Sequence, residues 1–343
     1  MKRTITTQDD QPIPRGEHAS LTANGVTTTL PSQRLADRVS ALLAALRPQQ
    51  WVKNLALFVG ILFSQRLFVL LSFERTALAF AAFCLASSSI YLLNDLLDLE
   101  NDKQHPVKCK RPLASGRLPA SWAIAAMGML VLASGGLTLL IFRIPIGQSV
   151  DAYAHYGGGN LLFALTIASY LLLMVLYSVR LKHVVLLDVF IIAGGFFLRI
   201  LAGAVAISVS ISPWLYLVAI LLSLFLALSK RRHELVILHE QASSHRQNLK
   251  EYSLPMLDQM ITIVTTATLM AYSLYTFQGL TGNHRLMLTI PFVLYGMFRY
   301  LYLIYMRKQG GSPEEVLLRD RHMLGTVLLC TVIIIIVLYV LPQ

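Results

Sequence analysis

Charge is what this sequence has least of: Asp, Glu, Lys and Arg together make up 14% of its 343 residues, against about a quarter in soluble domains. With 55% hydrophobic residues and a mean hydropathy of +0.61, a water-soluble globular fold is a poor first reading. Cysteine is also scarce. The three present are Cys84 and Cys330 in apolar runs and Cys109 in a basic loop, an odd and scattered set that excludes a disulfide framework. Free cysteine packs well as a small hydrophobe. No Ser-His-Asp, Cys-His or zinc-ligand spacing occurs. The nine histidines are scattered, with His105, His183 and His233 in basic loops where solvated residues are the default. No repeat of roughly 20–50 residues is seen, which excludes a solenoid.

What the chain does have is long apolar runs. Scanning for about 20 consecutive apolar residues gives nine candidate spans, near 51–71, 75–97, 120–142, 159–178, 184–207, 213–229, 257–277, 286–306 and 322–341. The first is the weakest, because Lys53, Asn54, Gln65 and Arg66 interrupt it. The expected fold is an all-α membrane protein with about nine transmembrane helices in one domain over 46–343. Residues 1–45 are polar, mix Thr, Gln, Pro and Ser, and contain no apolar core of a signal peptide. They read as a largely disordered cytosolic leader. The stretch 143–158 reads as a plain outward loop.

Net charge is +11, from 29 Lys and Arg against 18 Asp and Glu. In a membrane protein such an excess collects on cytosolic loops, a better account than nucleic-acid binding. With the N-terminus inside, 23 of the 29 basic residues fall in cytosolic segments. Only Arg66, Arg75, Arg143 and Arg285 fall outside, and Arg199 and Arg299 lie within spans. A wrong span count would scramble this alternation.

The second span ends in Y-L-L-N-D-L-L-D-L-E-N-D, which sets Asn94, Asp95, Asp98 and Asp102 on one face of a helix leaving the membrane. Carboxylates stacked so closely repel one another unless a divalent cation sits among them. Mg²⁺ takes a few protein oxygens and keeps its other positions for water and phosphate. A solvated helix end is the bland alternative, but ionisable residues at a membrane boundary are seldom kept without function. Next come Lys103, Lys108, Lys110, Arg111 and Arg117 around Ser115-Gly116. Bases beside an acidic metal cluster suit a substrate with a metal-bound diphosphate and further phosphates, and Lys108 and Arg111 are the candidate ligands.

Three other groups stand out. Tyr177, Ser178, Arg180 and Lys182 precede Asp188, which lies eleven residues before Arg199 and so shares its helix face. Either a polar cavity or a pair of structural ion pairs accounts for these intramembrane charges. Lys230, Arg231 and Arg232, followed by Glu234, form a basic knot where the sixth span ends. Spacing leaves a phosphate clamp and an orientation signal equally open. Tyr295, Arg299 and Tyr302 precede G-G-S-P-E-E-V-L-L-R-D, a turn that matches no Gly-rich phosphate loop and reads as structural.

The run N-D-L-L-D-L-E-N-D resembles the N-D-x-x-D-x-x-x-D motif of the UbiA superfamily of intramembrane transferases, and the chain from about Leu46 onward resembles its decaprenyl-phosphate phosphoribosyltransferase branch. Six strings in order carry the resemblance: R-P-Q-Q-W-V-K-N at 47–54, N-D to A-S-G-R-L at 94–118, Y-S-V-R-L-K with the later Asp188, L-R-I-L-A-G-A at 198–204, K-R-R-H-E-L at 230–235 and T-I-P-F-V-L-Y-G-M-F-R-Y at 289–300. The resemblance implies a UbiA-type bundle in which Asn94, Asp95 and Asp98, with Asp102 as a fourth partner, hold Mg²⁺. It further implies that Lys53, Lys108, Arg111, Tyr177, Lys182, Asp188, Lys230, Arg231 and Arg232 line the phosphate-binding site. The aromatic prenyltransferases of the superfamily have a second Asp-rich cluster where this chain has Lys230, Arg231 and Arg232. A basic knot binds bare phosphate rather than Mg²⁺.

The implied reaction moves 5-phosphoribosyl from phosphoribosyl diphosphate (PRPP) to a polyprenyl phosphate at a bacterial cytoplasmic membrane, supplying a cell-envelope glycan precursor. A homo-oligomer is compatible with this reading. Two alternatives stay open from sequence: a UbiA-type aromatic prenyltransferase, against which the missing second acidic cluster counts, and a transporter of an anionic solute, which would show inverted repeats and broken midplane helices.

Overall fold

The computed structural model describes residues 35–146, 151–240, 251–278, 284–307, 311, 316–317 and 319–341. The fold is a multi-pass membrane bundle, all helical among the described residues. Helix α1 covers Leu35–Ala45, followed by a 3₁₀ stretch at Pro48–Leu57 and the short α2 at Phe58–Phe63. The long helices are α3 (Leu70–Leu97), α5 (Ala120–Arg143), α6 (Gly158–Val179), α7 (Leu187–Ala206), α8 (Pro213–Glu240), α9 (Leu254–Gln278), α10 (Ile290–Tyr305) and α11 (Arg321–Ile335), with the six-residue α4 at Leu99–Gln104. A 3₁₀ stretch at His284–Thr289 leads into α10, and a π-helical stretch at Ile336–Val340 extends α11. Eight segments among the described residues are long and apolar enough to cross a bilayer.

The first expected span, 51–71, is present in broken form. Arg47 and Gln65 both have left-handed backbones, at φ 52° and 58°, a conformation that ends regular helix in L-residues. Pro48 also pushes Arg47 out of the right-handed helical region. The 3₁₀ stretch and α2 pack on α3 and α7 instead, burying Leu57 and Ile61 completely. Close approach to α7 depends on glycine. A Cβ at Gly203 would lie 1.9 Å from the Leu57 carbonyl oxygen, and one at Gly60 would lie 3.0 Å from the Ala204 nitrogen.

The expected leader also differs at its end. Leu35–Ala45 is helical, and Ala41 and Ala45 join a buried cluster with Leu92, Leu113, Leu118, Ala123 and Ala126. Residues 1–34 lie outside the described residues, as do parts of the 143–158 loop and of the turn before α11.

Small residues on α3 (Ala79, Ala82, Ala86) and α7 (Ala202, Gly203, Ala204) let backbones approach, as in membrane helix pairs where packing replaces the hydrophobic drive. Within the last segment, Arg321–Val340, an 18-residue stretch has a mean hydropathy of 2.8 with only 11% of its residues buried. Its apolar face is one that lipid would cover.

At 28 residues, α3 is about 42 Å long, more than the roughly 30 Å of hydrocarbon. Its ends therefore reach the two membrane boundaries. At its start, the fully buried Arg75 donates to the Ala206 carbonyl at 2.5 Å, the Ile141 carbonyl at 2.8 Å, Asn160 Oδ1 at 2.5 Å and the Ile144 carbonyl. One guanidinium thus ties together the ends of α5 and α7 and the beginning of α6, where the C-terminal carbonyls of two helices present negative dipole charge. At its other end α3 delivers Asn94 and Asp95.

Candidate active site

Helix α3 stops at Leu97, and Asp98 (φ −93°, ψ 7°) separates it from α4. The acidic run is therefore divided between the last turn of α3 and the six-residue α4 rather than lying on one continuous helix. Asp is a poor helix former whose side chain competes for backbone hydrogen bonds, and here it sits among other carboxylates. Hydrogen bonding is kept on both sides, with the Asp98 N–H donating to the Asn94 carbonyl at 2.9 Å and the Asp102 N–H to the Asp98 carbonyl at 2.8 Å.

Two carboxylates of the run turn inward. Asp95 and Asp102 are 2% and 3% exposed, which for charged groups demands partners. Arg111 bridges them, its Nη1 lying 3.1 Å from Asp95 Oδ1 and 2.6 Å from Asp102 Oδ2. Arg47 Nη2 adds a contact of 2.5 Å to the same Asp95 oxygen, with its guanidinium 5.0 Å above the ring of Tyr91. The other Asp95 oxygen, Oδ2, is buried and accepts no hydrogen bond. Asp98 faces a different cation: Lys182 Nζ lies 2.6 Å from its Oδ1, and Asn94 donates to its Oδ2 at 3.1 Å. Lys182 itself is buried.

The basic knot on α8 divides three ways, because successive helical residues point about 100° apart. Arg231, 2% exposed, turns to the fully buried Asp188 at 2.8 Å and to Glu234. The Tyr252 hydroxyl donates to the other Asp188 oxygen at 2.9 Å. Burial pushes the Tyr252 phenol up to about 12, and the adjacent Asp188 carboxylate pushes the same way, so it stays a donor at any physiological pH. Arg232 pairs with Asp258 at 2.6 Å and stacks 4.1 Å above the Tyr305 ring. Lys230 is half-buried, as are Lys53, Lys108 and Tyr177.

The expected residues thus form two assemblies. Asn94, Asp95, Asp98, Asp102, Arg111 and Lys182 come together at the end of α3. Asp188, Arg231 and Glu234 form a buried ionic network of their own, in which Arg231 is committed to carboxylates. Asp188 and Arg199, expected to share a helix face, have separate partners. Arg199 donates to Asn54, Tyr170 and the Gly195 carbonyl.

Sequence reasoning assigned no role to Arg47, Tyr91, Tyr252 or Asp258. Arg47 opens the 47–54 string, but nothing in the spacing ties it to an aspartate 48 residues later.

Oxygen-only donors on Asn94, Asp95, Asp98 and Asp102 suit a hard cation such as Mg²⁺. The buried Asp95 Oδ2, which accepts no hydrogen bond, is an oxygen such an ion would use. Among the described residues no three His, Cys, Asp or Glu side chains converge as a ready metal cage. The carboxylates instead carry Arg47, Arg111 and Lys182. Chemically, the site can hold a cation on its carboxylates and phosphate oxygens on the adjacent guanidinium and ammonium groups.

Residues 54–318 match the model of the UbiA prenyltransferase family. The chain is a member of that family. It is 34% identical to the decaprenyl-phosphate phosphoribosyltransferase of Corynebacterium glutamicum, over 91% of this chain and 90% of that protein. With the protein of the same name from Mycolicibacterium smegmatis it shares 33% identity over 82% and 87% of the two chains. Among solved structures, a UbiA homolog from Archaeoglobus fulgidus bound to GPP and Mg²⁺ superposes with a TM-score of 0.62 at 15% identity, covering 88% of this chain and all of that one. That likeness establishes the fold. Family membership and bundle both agree with the resemblance drawn from the sequence.

Proposed function

We propose that this UbiA-family chain is a transferase that moves the 5-phosphoribosyl group of PRPP onto a polyprenyl phosphate, decaprenyl phosphate in the named relatives, and releases diphosphate. The observation that carries the proposal is the match to decaprenyl-phosphate phosphoribosyltransferases along nearly the whole of both chains. The site chemistry supports it. A run of carboxylates and an adjoining set of cations lie together at one membrane boundary, where a water-soluble phosphosugar and a lipid phosphate can meet.

Asn94, Asp95 and Asp98, with Asp102 as a fourth partner, would hold Mg²⁺. Bound there, the ion would neutralise charge on a departing diphosphate. Arg111 and Lys182, already at the carboxylates, are placed to bind phosphate oxygens, with Lys53, Lys108, Tyr177 and Lys230 as further phosphate contacts. Arg231, engaged with Asp188 and Glu234, and Arg232, engaged with Asp258, would support them from behind the contacting groups. Arg47 joins this set on its contact with Asp95. The anomeric carbon of PRPP develops positive charge as diphosphate leaves, and preorganised charges aimed at the leaving group stabilise that state. A phosphate monoester is already an anion near neutral pH, since its second pKa is about 6. The acceptor needs no general base, and the site offers no obvious one.

The excess of basic residues in alternate loops supports a cytosolic N-terminus and a cytosolic site in a bacterial inner membrane, where the product would feed cell-envelope glycan synthesis. A prenyl diphosphate donor is favoured by the GPP in the Archaeoglobus structure. The basic knot at Lys230–Arg232, where a second acidic cluster would be needed, weighs against it.

Membranes containing the protein, given radiolabelled PRPP, polyprenyl phosphate and Mg²⁺, are expected to move label into the organic phase, and chelation is expected to stop the transfer. Product from prenyl diphosphate and an aromatic acid, with none from PRPP, would sink the proposal.

A further inference from the structure

Among the described residues, Arg199 is a buried cation with no carboxylate partner. It lies on α7 and is 6% exposed. Its Nε donates to Asn54 Oδ1 at 2.7 Å, Nη1 to the Gly195 carbonyl at 2.9 Å and Nη2 to the Tyr170 hydroxyl at 2.9 Å. The Tyr170 and Phe196 rings lie 4.7 and 5.4 Å from its guanidinium carbon. All these partners are neutral, and among the described residues no carboxylate lies within ion-pair distance of it. A guanidinium has five N–H donors, so these three bonds leave two unused. Arg75, fully buried and also among neutral partners, gives the contrast within the same molecule: it places four bonds, three of them on backbone carbonyls at helix ends that carry negative dipole charge. A charged group kept at such depth among neutral partners is costly and points to function.

Its depth indicates which anion it serves. Asn54, the acceptor of the Arg199 Nε–H, donates in turn to Ser87 Oγ at 3.3 Å. Ser87 precedes Asp95 by eight residues on α3, about 12 Å along the helix, so Arg199 acts farther into the bilayer than the carboxylates do. A single displacement at the anomeric carbon requires the attacking oxygen to approach opposite the departing diphosphate. With diphosphate at Asp95 and Asp98, that side faces the bilayer, from which a polyprenyl chain delivers its phosphate.

We infer that Arg199 binds the phosphate of the lipid acceptor and positions it behind the anomeric carbon. This rests on the phosphoribosyl-transfer reading above. In the step it serves, a lipid phosphate oxygen gives an electron pair to C1 while the bond from C1 to the diphosphate oxygen breaks, and that pair leaves with diphosphate. No proton is transferred and nothing is oxidised. Arg199 is thus a substrate-binding residue on the acceptor side, separate from the groups that hold the donor.

The test uses the purified full chain in detergent, comparing wild type with Arg199→Gln and Arg199→Lys. Five quantities are measured: melting temperature, KM for each of the two substrates, and binding of polyprenyl phosphate and of the uncharged polyprenol. Arg199→Gln is expected to weaken polyprenyl phosphate about 10- to 100-fold in both KM and Kd, with PRPP and polyprenol changed by less than about twofold. Arg199→Lys, which keeps the charge, should lose less. Unchanged lipid-phosphate affinity in a folded Arg199→Gln protein overturns the inference. So does an equal loss for polyprenol, or a loss confined to PRPP. If Arg199→Gln does not fold, the same comparison on Arg199→Lys decides, and an unaltered lipid KM rejects the assignment. The underlying function fails separately, if wild type makes no labelled lipid at all, and polyprenyl phosphate binding still reports on Arg199 in that case.

Discussion

At the end of the bundle that carries Asn94–Asp102, cations meet carboxylates across long sequence separations; at the other end, Arg75 meets backbone carbonyls. Both arrangements bury charge at a membrane boundary, and both begin on α3. They differ in what is left over. Around Arg75, four donors find four acceptors on three helices and the chain just beyond α5, and nearby Asp151 accepts from the Tyr153 and Gly159 backbone N–H groups at 2.9 and 3.0 Å. At the acidic end, Asp95 keeps a buried oxygen without a hydrogen bond, and Asp98 keeps a side chain 20% exposed beside Lys182. A satisfied network holds a shape. A partly satisfied one at high local charge can exchange its partners for a ligand's.

Substitutions can break this contrast, and the largest effect is expected at the acidic end. Asp95→Ala or Asp98→Ala should lower phosphoribosyl transfer by at least about 10³-fold, the scale of losing electrostatic stabilisation of a leaving group, while the melting temperature changes comparatively little. Wild-type transfer in either variant would remove the metal assignment. Next comes Arg75→Met, which leaves four acceptors without their donor. It is expected to cost on the order of 3 kcal/mol of stability, with kcat per folded molecule unchanged. A Met variant with normal stability but lost activity would invert the comparison.

A smaller effect is expected from Lys230→Ala, which should raise KM for a phosphate substrate about tenfold, the worth of one charge-assisted hydrogen bond, with little change in kcat. An altered kcat at constant KM would contradict the binding role. The smallest is a pH effect at the Arg75 end. Burial pushes the Asp151 carboxyl up, but the Gly159 and Tyr153 N–H groups and the Arg75 charge outweigh it and hold the carboxyl below its ordinary value. Because the folded value is depressed, the stabilisation is present above the usual carboxylate range and is lost as pH falls through it. Protection factors of the amides between Asp151 and Asn160, the intrinsic exchange rate at each pH divided by the observed one, should fall in acid and stay flat from about pH 5 to pH 8. Asp151→Asn should remove that pH dependence.

Much of the bundle was legible in the sequence because an apolar run of about 20 residues has few other solutions in a bilayer. The exception, 51–71, failed where backbone conformation depends on tertiary packing. Neither Arg47 nor Gln65 is a residue type that announces a left-handed turn. Within the site, local pairs were legible and distant ones were not. Arg111 follows Asp102 by nine residues, inside the same basic loop, whereas the Lys182–Asp98 and Arg47–Asp95 contacts join residues 84 and 48 positions apart. Lys182 was anticipated only through family resemblance, and Arg47 was quoted within a motif without a role. Arg231 and Glu234, three residues apart, were read only as parts of a basic knot, and nothing in the spacing pointed to Asp188 and Tyr252, which arrive from other elements.

Gly203 illustrates how atoms of no chemical reactivity set the chemistry. Because its hydrogen faces the Leu57 carbonyl, the backbone of the 48–57 stretch rests directly on α7, and Asn54 is held within the turn that ends there. A single methyl group added at Gly203 would push that stretch away and draw Asn54 off Arg199. The placement of a positive charge in the membrane is therefore governed by van der Waals radius: a mutation neutral in polarity and tiny in volume would be read by the substrate as an electrostatic change.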